Sequence, residues 1–334
     1  MEILPGIHQL KLPFPLQPEE LAVNAYLIRG DRGCLLVDTG WNINQAYSAM
    51  ERQLREIGLG FADISLILIT HFHPDHYGLA GRLVQASGAR VALHRIEKDF
   101  IDSRYMNMDG LLDQTADILR ANGVPEKDLP RLQKASLGVR QYVAPVSPEV
   151  ALEGGEVIGQ GPYRFEVLWT PGHSPGHVCL LERTAKILIS GDHVLPATFP
   201  NVGLHSQSGR DPLPNYLRSL QAIEALDVDL VLPAHEHVFS GLAPRIGQIL
   251  RHHEERKAAI LDALGAGPQT AYEVSLRIPW IVHGVTLSYD QLQALDRRLA
   301  VMSTMAHLEP LCTEGAAARA QRNGVTVYSL PGAR

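Results

Sequence analysis

Three imidazoles and a carboxylate fall within six consecutive residues, His71-Phe72-His73-Pro74-Asp75-His76, directly after the apolar run Ile64-Ser65-Leu66-Ile67-Leu68-Ile69-Thr70. Core packing gives no reason for such a cluster. Metal binding does: neutral imidazole is the commonest protein metal ligand, and a carboxylate among histidines suits Zn²⁺, Mn²⁺ or Fe better than Ca²⁺ or Mg²⁺. The apolar run is short and β-branched, so it reads as a buried strand whose far end carries the cluster. In an extended segment His71 and His73 point to the same side. Pro74 suits the first turn of a helix expected to run to about residue 85, which swings Asp75 and His76 toward the same space.

The arrangement recurs along the chain. A strand expected over 163–169 ends in Thr170-Pro171-Gly172-His173-Ser174-Pro175-Gly176-His177, a turn whose glycines and prolines permit a sharp bend and a close backbone approach. A strand over 186–190 ends in Gly191-Asp192-His193, and one over 229–232 ends in Pro233-Ala234-His235-Glu236-His237. Earlier, the strand over 34–37 ends in Asp38-Thr39-Gly40, where Asp38 either orients a histidine from behind or caps the helix expected over 43–57. Functional side chains gather at strand ends in αβ proteins because a rigid sheet fixes their direction. The candidate ligands are therefore His71, His73, Asp75, His76, His173, Asp192 and His235. They exceed what one tetrahedral zinc with an open position needs, and suit two metals about 3.5–4 Å apart that share a carboxylate and a solvent molecule.

The elements that must position these residues follow an αβ rhythm. Strands are expected over 7–12, 24–28 and 34–37, then over 90–94, 150–152 and 178–182, with a helix from Asp211-Pro212 to about 226. Between about 97 and 145 the strand signals stop and two helices are expected, 109–122 and 126–137, as an inserted cap. Its Phe100, Tyr105, Met106 and Met108 either line a pocket or pack the insertion onto the body. From about Gly241 a long helix runs to 264, Thr270 and Glu273 form a capping box, a further helix covers 289–307, and 308–313 is expected to pair with 324–330 as a hairpin. That order, three helices and a hairpin, resembles a winged helix, so the chain divides into 1–245 and a small C-terminal domain, 246–334.

Composition places these elements in a soluble protein: 334 residues, 45% hydrophobic and 20% charged, with a net charge of −6. Mild acidity provides no steering toward nucleic acid or anionic membrane. From Arg251 onward nine Lys and Arg stand against eight Asp and Glu, a balance that favours a dimerising or pocket-closing role over phosphate-backbone binding. Cys34, Cys179 and Cys312 are far apart in apolar runs and read as buried thiols of a reducing cytoplasm. The first residues lack a basic n-region and no apolar run approaches about 18 residues, so neither a signal peptide nor a membrane span is expected. His177, His193 and His237 flank candidate ligands and His205 lies in a loop that could face a substrate, whereas His8, His94, His252, His253, His283 and His307 read as surface or packing residues.

His71-Phe72-His73-Pro74-Asp75-His76, with His173 in Thr-Pro-Gly-His, Asp192 in Gly-Asp and His235 after a strand, resembles in order and spacing the metallo-β-lactamase-fold hydrolase superfamily over residues 1 to about 245. The resemblance implies a four-layer αββα sandwich, an α/β (α+β) fold with the site along one edge. It also implies that His71, His73 and His173 hold one metal, that Asp75, His76 and His235 hold a second, and that Asp192 bridges them. It does not supply a substrate. The β-lactamases of this fold usually lack a carboxylate at the Asp192 position, the glutathione thioesterases carry a Cys-Gly-Arg-type stretch where this chain has His193 to Pro200, and the acyl-homoserine lactonases place a tyrosine where Leu195 stands. The expected protein is a cytoplasmic, dinuclear metal-dependent hydrolase of an ester, thioester or lactone of a small molecule. It would use two divalent ions, Zn²⁺ foremost with Fe or Mn as alternatives, and a metal-bridging hydroxide, with Asp75 passing a proton to the leaving group. An RNA or phosphodiester hydrolase is the alternative reading, followed by a mono-iron sulfur dioxygenase and a β-lactamase. The C-terminal segment leaves a homodimer open without requiring it, and neither nucleic acid nor membrane is expected as a partner.

Overall fold

The computed structural model describes residues 1–15, 22–282 and 284–332; His283 lies outside the described residues. Seven strands form the first sheet in chain order: β1 (Glu2–Leu4), β2 (Ile7–Pro13), β3 (Ala22–Gly30), β4 (Gly33–Val37), β5 (Ile64–Leu68), β6 (Arg90–His94) and β7 (Val150–Leu152). The hairpin-linked strands β1 to β4 are antiparallel, while β4 to β7 run parallel because helices carry the chain back between them. Five strands form the second sheet: β8 (Val157–Gln160), β9 (Tyr163–Trp169), β10 (Val178–Glu182), β11 (Ile187–Gly191) and β12 (Leu230–Pro233), in the order β12-β11-β10-β9-β8. Strands β4, β10 and β11 are apolar on both faces, as strands covered on both sides must be.

The two sheets face each other across a core to which both contribute, Tyr26, Leu35, Val37 and Leu68 from one and Phe165, Val167, Leu180 and Ile189 from the other. Helices α1 (Asn44–Glu56), α2 (Pro74–Tyr77) and α3 (Ala80–Ser87) cover the outer side of the first sheet, and α8 (Pro212–Glu224) and α9 (Leu242–Leu264) that of the second, completing the αββα sandwich. Because β4 and β5 are parallel, as are β11 and β12, Asp38 and His71 leave one sheet at the same end and Asp192 and His235 leave the other at the same end. The sheets are tied together there by a bridge between Val23 and His235 and by the Asn24 amide donating to Ala234 O (2.7 Å).

Three expectations need correction. The single helix over 74–85 is two, α2 and α3, broken at Gly78-Leu79: Leu79 N donates to Gly40 O (3.0 Å) and Ala144 N to Gly78 O (2.8 Å), so distant segments take the backbone groups that a continuous helix would use. A Cβ at 78 would sit 2.7 Å from Gly40 O and 2.8 Å from Tyr142 O. In the insertion, α4 (Arg95–Lys98), a π-helical turn (Asp102–Met106) and α5 (Asp109–Ala121) precede α6 (Leu129–Gln133), which Pro130 delays and which gives way at Lys134 to a 3₁₀ turn and α7 (Leu137–Arg140) rather than forming one helix over 126–137. Beyond α10 (Ala271–Ser275), residues 308–313 are the last turns of α11 (Ala294–Thr313), because Leu308 and Leu311 continue the buried face of Val301 and Met305. The hairpin there is instead β15 (Ala318–Arg322) with β16 (Val325–Ser329), and a second one, β13 (Trp280–Val282) with β14 (Val285–Leu287), had no sequence signal.

The insertion and the C-terminal chain share one core: Leu119, Val124, Leu129 and Leu132 pack with Ile260, Val301, Met305, Leu308 and Tyr328. Cys34 and Cys179 are buried and Cys312 half-buried, all as free thiols. Among the described residues no helix is long and apolar enough to cross a membrane.

Candidate metal centre

All seven sequence-nominated residues converge at the end of the sandwich. His71 Nε2, His73 Nδ1 and His173 Nε2 form a triangle with sides of 2.9, 3.1 and 3.2 Å. A second group comprises Asp75, His76 and His235: Asp75 Oδ2 lies 3.6 Å from His76 Nε2 and 3.3 Å from His235 Nε2. Asp192 stands between them, Oδ2 at 3.6 Å from His173 Nε2 and 3.5 Å from His76 Nε2, Oδ1 at 3.3 Å from His235 Nε2.

Hydrogen bonds behind the rings fix which nitrogen faces inward. Asp38 Oδ2 accepts from His76 Nδ1–H (2.8 Å), so the Nε2 lone pair of His76 is turned into the site, where it is buried without a partner. The Thr70 hydroxyl donates to the Asp38 carboxylate (2.9 Å) and accepts from His71 Nδ1–H (3.1 Å), which leaves His71 Nε2 bare as well. Asn201 O accepts from His173 Nδ1–H (2.8 Å) with the same result. Lone pairs of adjacent rings thus face one another at about the separation, roughly 3.3 Å, of two nitrogens on one tetrahedral Zn²⁺ at 2.0–2.1 Å. Such a triangle needs a cation at its apex. Asp192 Oδ1 is likewise buried without a partner, so the donor set fits divalent metal.

The electrostatics agree. Burial, with His76 and the other rings adding to it, lowers His71 and His73 well below the usual imidazole range, keeping both neutral and able to ligate. Burial also opposes charge on His76 and His235, but Asp192 and Asp75 outweigh it and raise both, His235 to about 10. For Asp192 burial is again overcome, here by His235 and His76, and its carboxyl lies well below the usual range. Metal-free, the carboxylates would draw protons onto these rings; a metal replaces those protons.

The loops are shaped to hold this geometry. Gly172, at φ +144°, lies so close to Tyr216 that a Cβ would meet Tyr216 Cβ at 2.3 Å. His177, behind the site, donates from Nδ1 to Thr170 (2.9 Å) and accepts the Asp192 backbone N–H at Nε2 (3.1 Å). Sequence reasoning missed Glu97. Its buried carboxylate accepts from Phe72 N (2.6 Å), Gly176 N (2.9 Å) and the Ser174 hydroxyl, clasping the two histidine loops together. Burial pushes this carboxyl up to about 7, against those three donors. The signal that could have found it is its place just past β6, the strand beside β5, where the strand-end rule also applies. From the same insertion Tyr105 OH donates to Phe72 O (2.5 Å) and Arg104 lies 4.0 Å over the Phe72 ring.

A cavity of about 1110 Å³ opens over the centre and is lined by Asp75, His173, Asp192 and His235. Its walls come from β2 and the residues after it (Lys11, Phe14), from Trp41 and α1, from 195–201, and from the C-terminal chain (Trp280, Leu295, Leu299). Phe100, Tyr105, Met106 and Met108 are absent from the lining: Phe100, Tyr105 and Met108 pack the insertion and Met106 is exposed, while Val139 and Tyr142 at its end do line it. His193 is buried against Tyr216, and His237 is exposed. His205 is lowered to about 3 by burial and by Arg104 and Arg298. Of the packing histidines, His94 stacks on Trp169 and His252 on Phe199.

The family model of the metallo-beta-lactamase superfamily matches residues 18–235. A metallo-beta-lactamase family protein from Thermus thermophilus has a solved structure similar to this one, with a TM-score of 0.82 and 32% identity, covering 98% of this chain and 100% of that one. The chain is 25% identical to the "Probable metallo-hydrolase YqjP" of Bacillus subtilis over 96% of each protein, and 29% identical to human "Acyl-coenzyme A thioesterase MBLAC2" over 65% of this chain and 74% of that protein.

Proposed function

The chain belongs to the metallo-beta-lactamase superfamily and is a metal-dependent hydrolase, and from that premise we propose that it holds two divalent ions, zinc foremost, and cleaves an ester, thioester or lactone of a small molecule, with a thioester as the favoured bond. The observation that carries the reading is the pair of donor groups, His71, His73, His173 and Asp75, His76, His235, with the two oxygens of Asp192 directed between them. Each group would hold one ion and Asp192 would be shared. Once bound, the ions supply Lewis acidity toward a carbonyl oxygen and bring the pKa of a water toward neutrality. Asp38, Thr70 and Asn201 hold the imidazole tautomers, and Phe14 and Trp41, 5.8 Å apart, line the cavity beside His235. Asp75 would carry the proton to the departing sulfur or oxygen.

For a thioester the balance is simple. Oxygen from one water joins the acyl carbon, the C–S bond breaks, the sulfur leaves as a thiol with one proton, and the new acid ionises and releases the other. The thioesterase named among the relatives supports this choice of bond.

The test is a hydrolysis panel on protein whose metal content has been measured: thioesters, lactones, aryl esters, phosphodiesters, β-lactams and RNA. Two metals per chain with thioester turnover, both lost on chelation, is the expected result. One iron per chain with O₂ consumption, or a preference for RNA or β-lactams, would overturn it.

A further inference from the structure

Resting on that thioester reading, we propose that the thiol half of the substrate is an extended arm ending in phosphate, and that Lys11 and Arg52 receive that phosphate. The cavity does not stop at the metal centre. Phe14 lies 5.8 Å from His235 and 5.8 Å from Trp41, and beyond them the lining continues along β2 with Pro13 and Lys11 and along α1 with Gln45, Ala49 and Arg52. Positions 45, 49 and 52 share one face of the helix, and 11 and 13 one side of the strand. The two elements are clamped at their charged ends: Lys11 N donates to Gln53 Oε1 (3.0 Å) and Gln53 Nε2 donates to Lys11 O (2.9 Å). Lys11 and Arg52 therefore stand beside each other on fixed backbone. Lys11 has no acidic partner among the described residues, and Arg52 approaches Glu56 only at 3.9 Å with both side chains well exposed.

Distance makes this pair a specificity element rather than part of the reacting centre. Phe14 stands three steps along the chain from Lys11, about 10 Å at the usual extended rise per residue. A short thiol does not span that, whereas a long arm does. The opposite wall, with Trp280, Leu292, Leu295 and Leu299, is apolar apart from the acidic Asp296 and would desolvate or repel a phosphate, so charge sorts the substrate: acyl group toward the C-terminal chain, anionic arm toward β2 and α1.

The experiment compares kcat/KM on decanoyl-coenzyme A and on decanoyl-N-acetylcysteamine, a neutral thioester without the phosphate-bearing end. We expect at least a tenfold preference for the coenzyme A ester, a roughly tenfold fall of that ratio in K11E/R52E, chiefly through KM, and a ratio that declines as salt screens the cations. R55E is the control, since Arg55 on the same helix pairs with Glu51 (3.5 Å) and does not line the cavity; it should keep the wild-type ratio. A decanoyl-phosphopantetheine arm carried on an acyl carrier protein is the third substrate: the better of the two phosphate-bearing esters identifies the source of the arm, and either advantage over the neutral thioester supports the proposal. Equal turnover of charged and neutral thioesters, or a ratio untouched by K11E/R52E, overturns it while leaving the thioester reading intact. If no thioester is cleaved but another bond in the hydrolysis panel is, both readings fall.

Discussion

Asp38 acts one step behind the candidate ligand rings. Its φ of +62° is a conformation that few side chains beyond glycine, asparagine and aspartate adopt, and it is held there by Thr70 N donating to Oδ1 (2.8 Å) and by His76 at 2.8 Å. Replacing Asp38 by Ala removes the acceptor that makes Nε2 of His76 the bare nitrogen. We expect affinity for one of two metals to fall ~10–100-fold, seen as a second, weaker step in a metal titration; an unchanged two-metal isotherm would count against the role. Glu97→Ala should cost about 2–4 kcal/mol in urea unfolding, because two buried N–H groups and a hydroxyl lose their acceptor together. Glu97→Gln, isosteric and still an acceptor, should recover part of the loss; equal losses in the two variants would mean that packing rather than acceptance matters. The convergence of the seven candidate ligands was legible because His71, His73, His173, Asp192 and His235 lie within a few residues of the ends of apolar strands and Asp75 and His76 open the helix that follows one of them. Asp38 was legible only as one of two alternatives, helix cap or supporting acid, and contacts across sequence decided between them. Glu97 was hidden because its partners, Phe72, Ser174 and Gly176, lie 25, 77 and 79 residues away.

At the scale of elements, α9 and α11 are joined by a buried histidine pair. His307 Nδ1–H donates to Ser303 O (2.8 Å), so its Nε2 accepts from His253 Nδ1–H (3.0 Å); His307 must be neutral for this to hold, and a proton on His253 Nε2 would be buried without an acceptor. Burial lowers His307 to about 3 and His253 well below the usual range. The sign follows: folded pKa values lie below the unfolded value near 6.5, so the unfolded chain binds more protons in acid. The stability the pair contributes is complete above pH ~6.5 and is lost as pH falls toward 3, by about 1.4 kcal/mol per pH unit for each ring. Urea unfolding of wild type and of His253→Leu/His307→Met between pH 7.5 and 5 should diverge by that slope; parallel curves would refute it. The sequence reads both histidines as surface or packing residues, and the pair appears only when α9 and α11 bring together two residues 54 positions apart. The broken helix at Gly78-Leu79 has the same origin, since Gly40 and Ala144 reach it from elsewhere in the chain. Strands β6, β7 and β9 were readable to the residue because their burial follows directly from composition and bounding turns.

For the molecule as a whole, the αββα sandwich was foreshadowed by the order of strands and ligands, but the cavity was not. No periodicity says that α11 will lie over a centre built by β5, β9, β11 and β12, because that placement depends on the core the insertion shares with the C-terminal chain. One consequence is that substrate length should be set by residues remote in sequence from every candidate ligand. Leu295 and Leu299, one turn apart on α11, both line the cavity, with Ala300 beside them. Leu299→Trp adds a large ring to a space of about 1110 Å³, which has room for it without overpacking a filled core. The variant should therefore fold and keep wild-type metal content, yet kcat/KM for decanoyl thioesters should fall ~10-fold or more relative to acetyl thioesters. If long and short acyl groups suffered alike, the C-terminal wall would be a lid over the cavity and not the seat of the acyl chain. If neither changed, α11 would not touch the substrate at all.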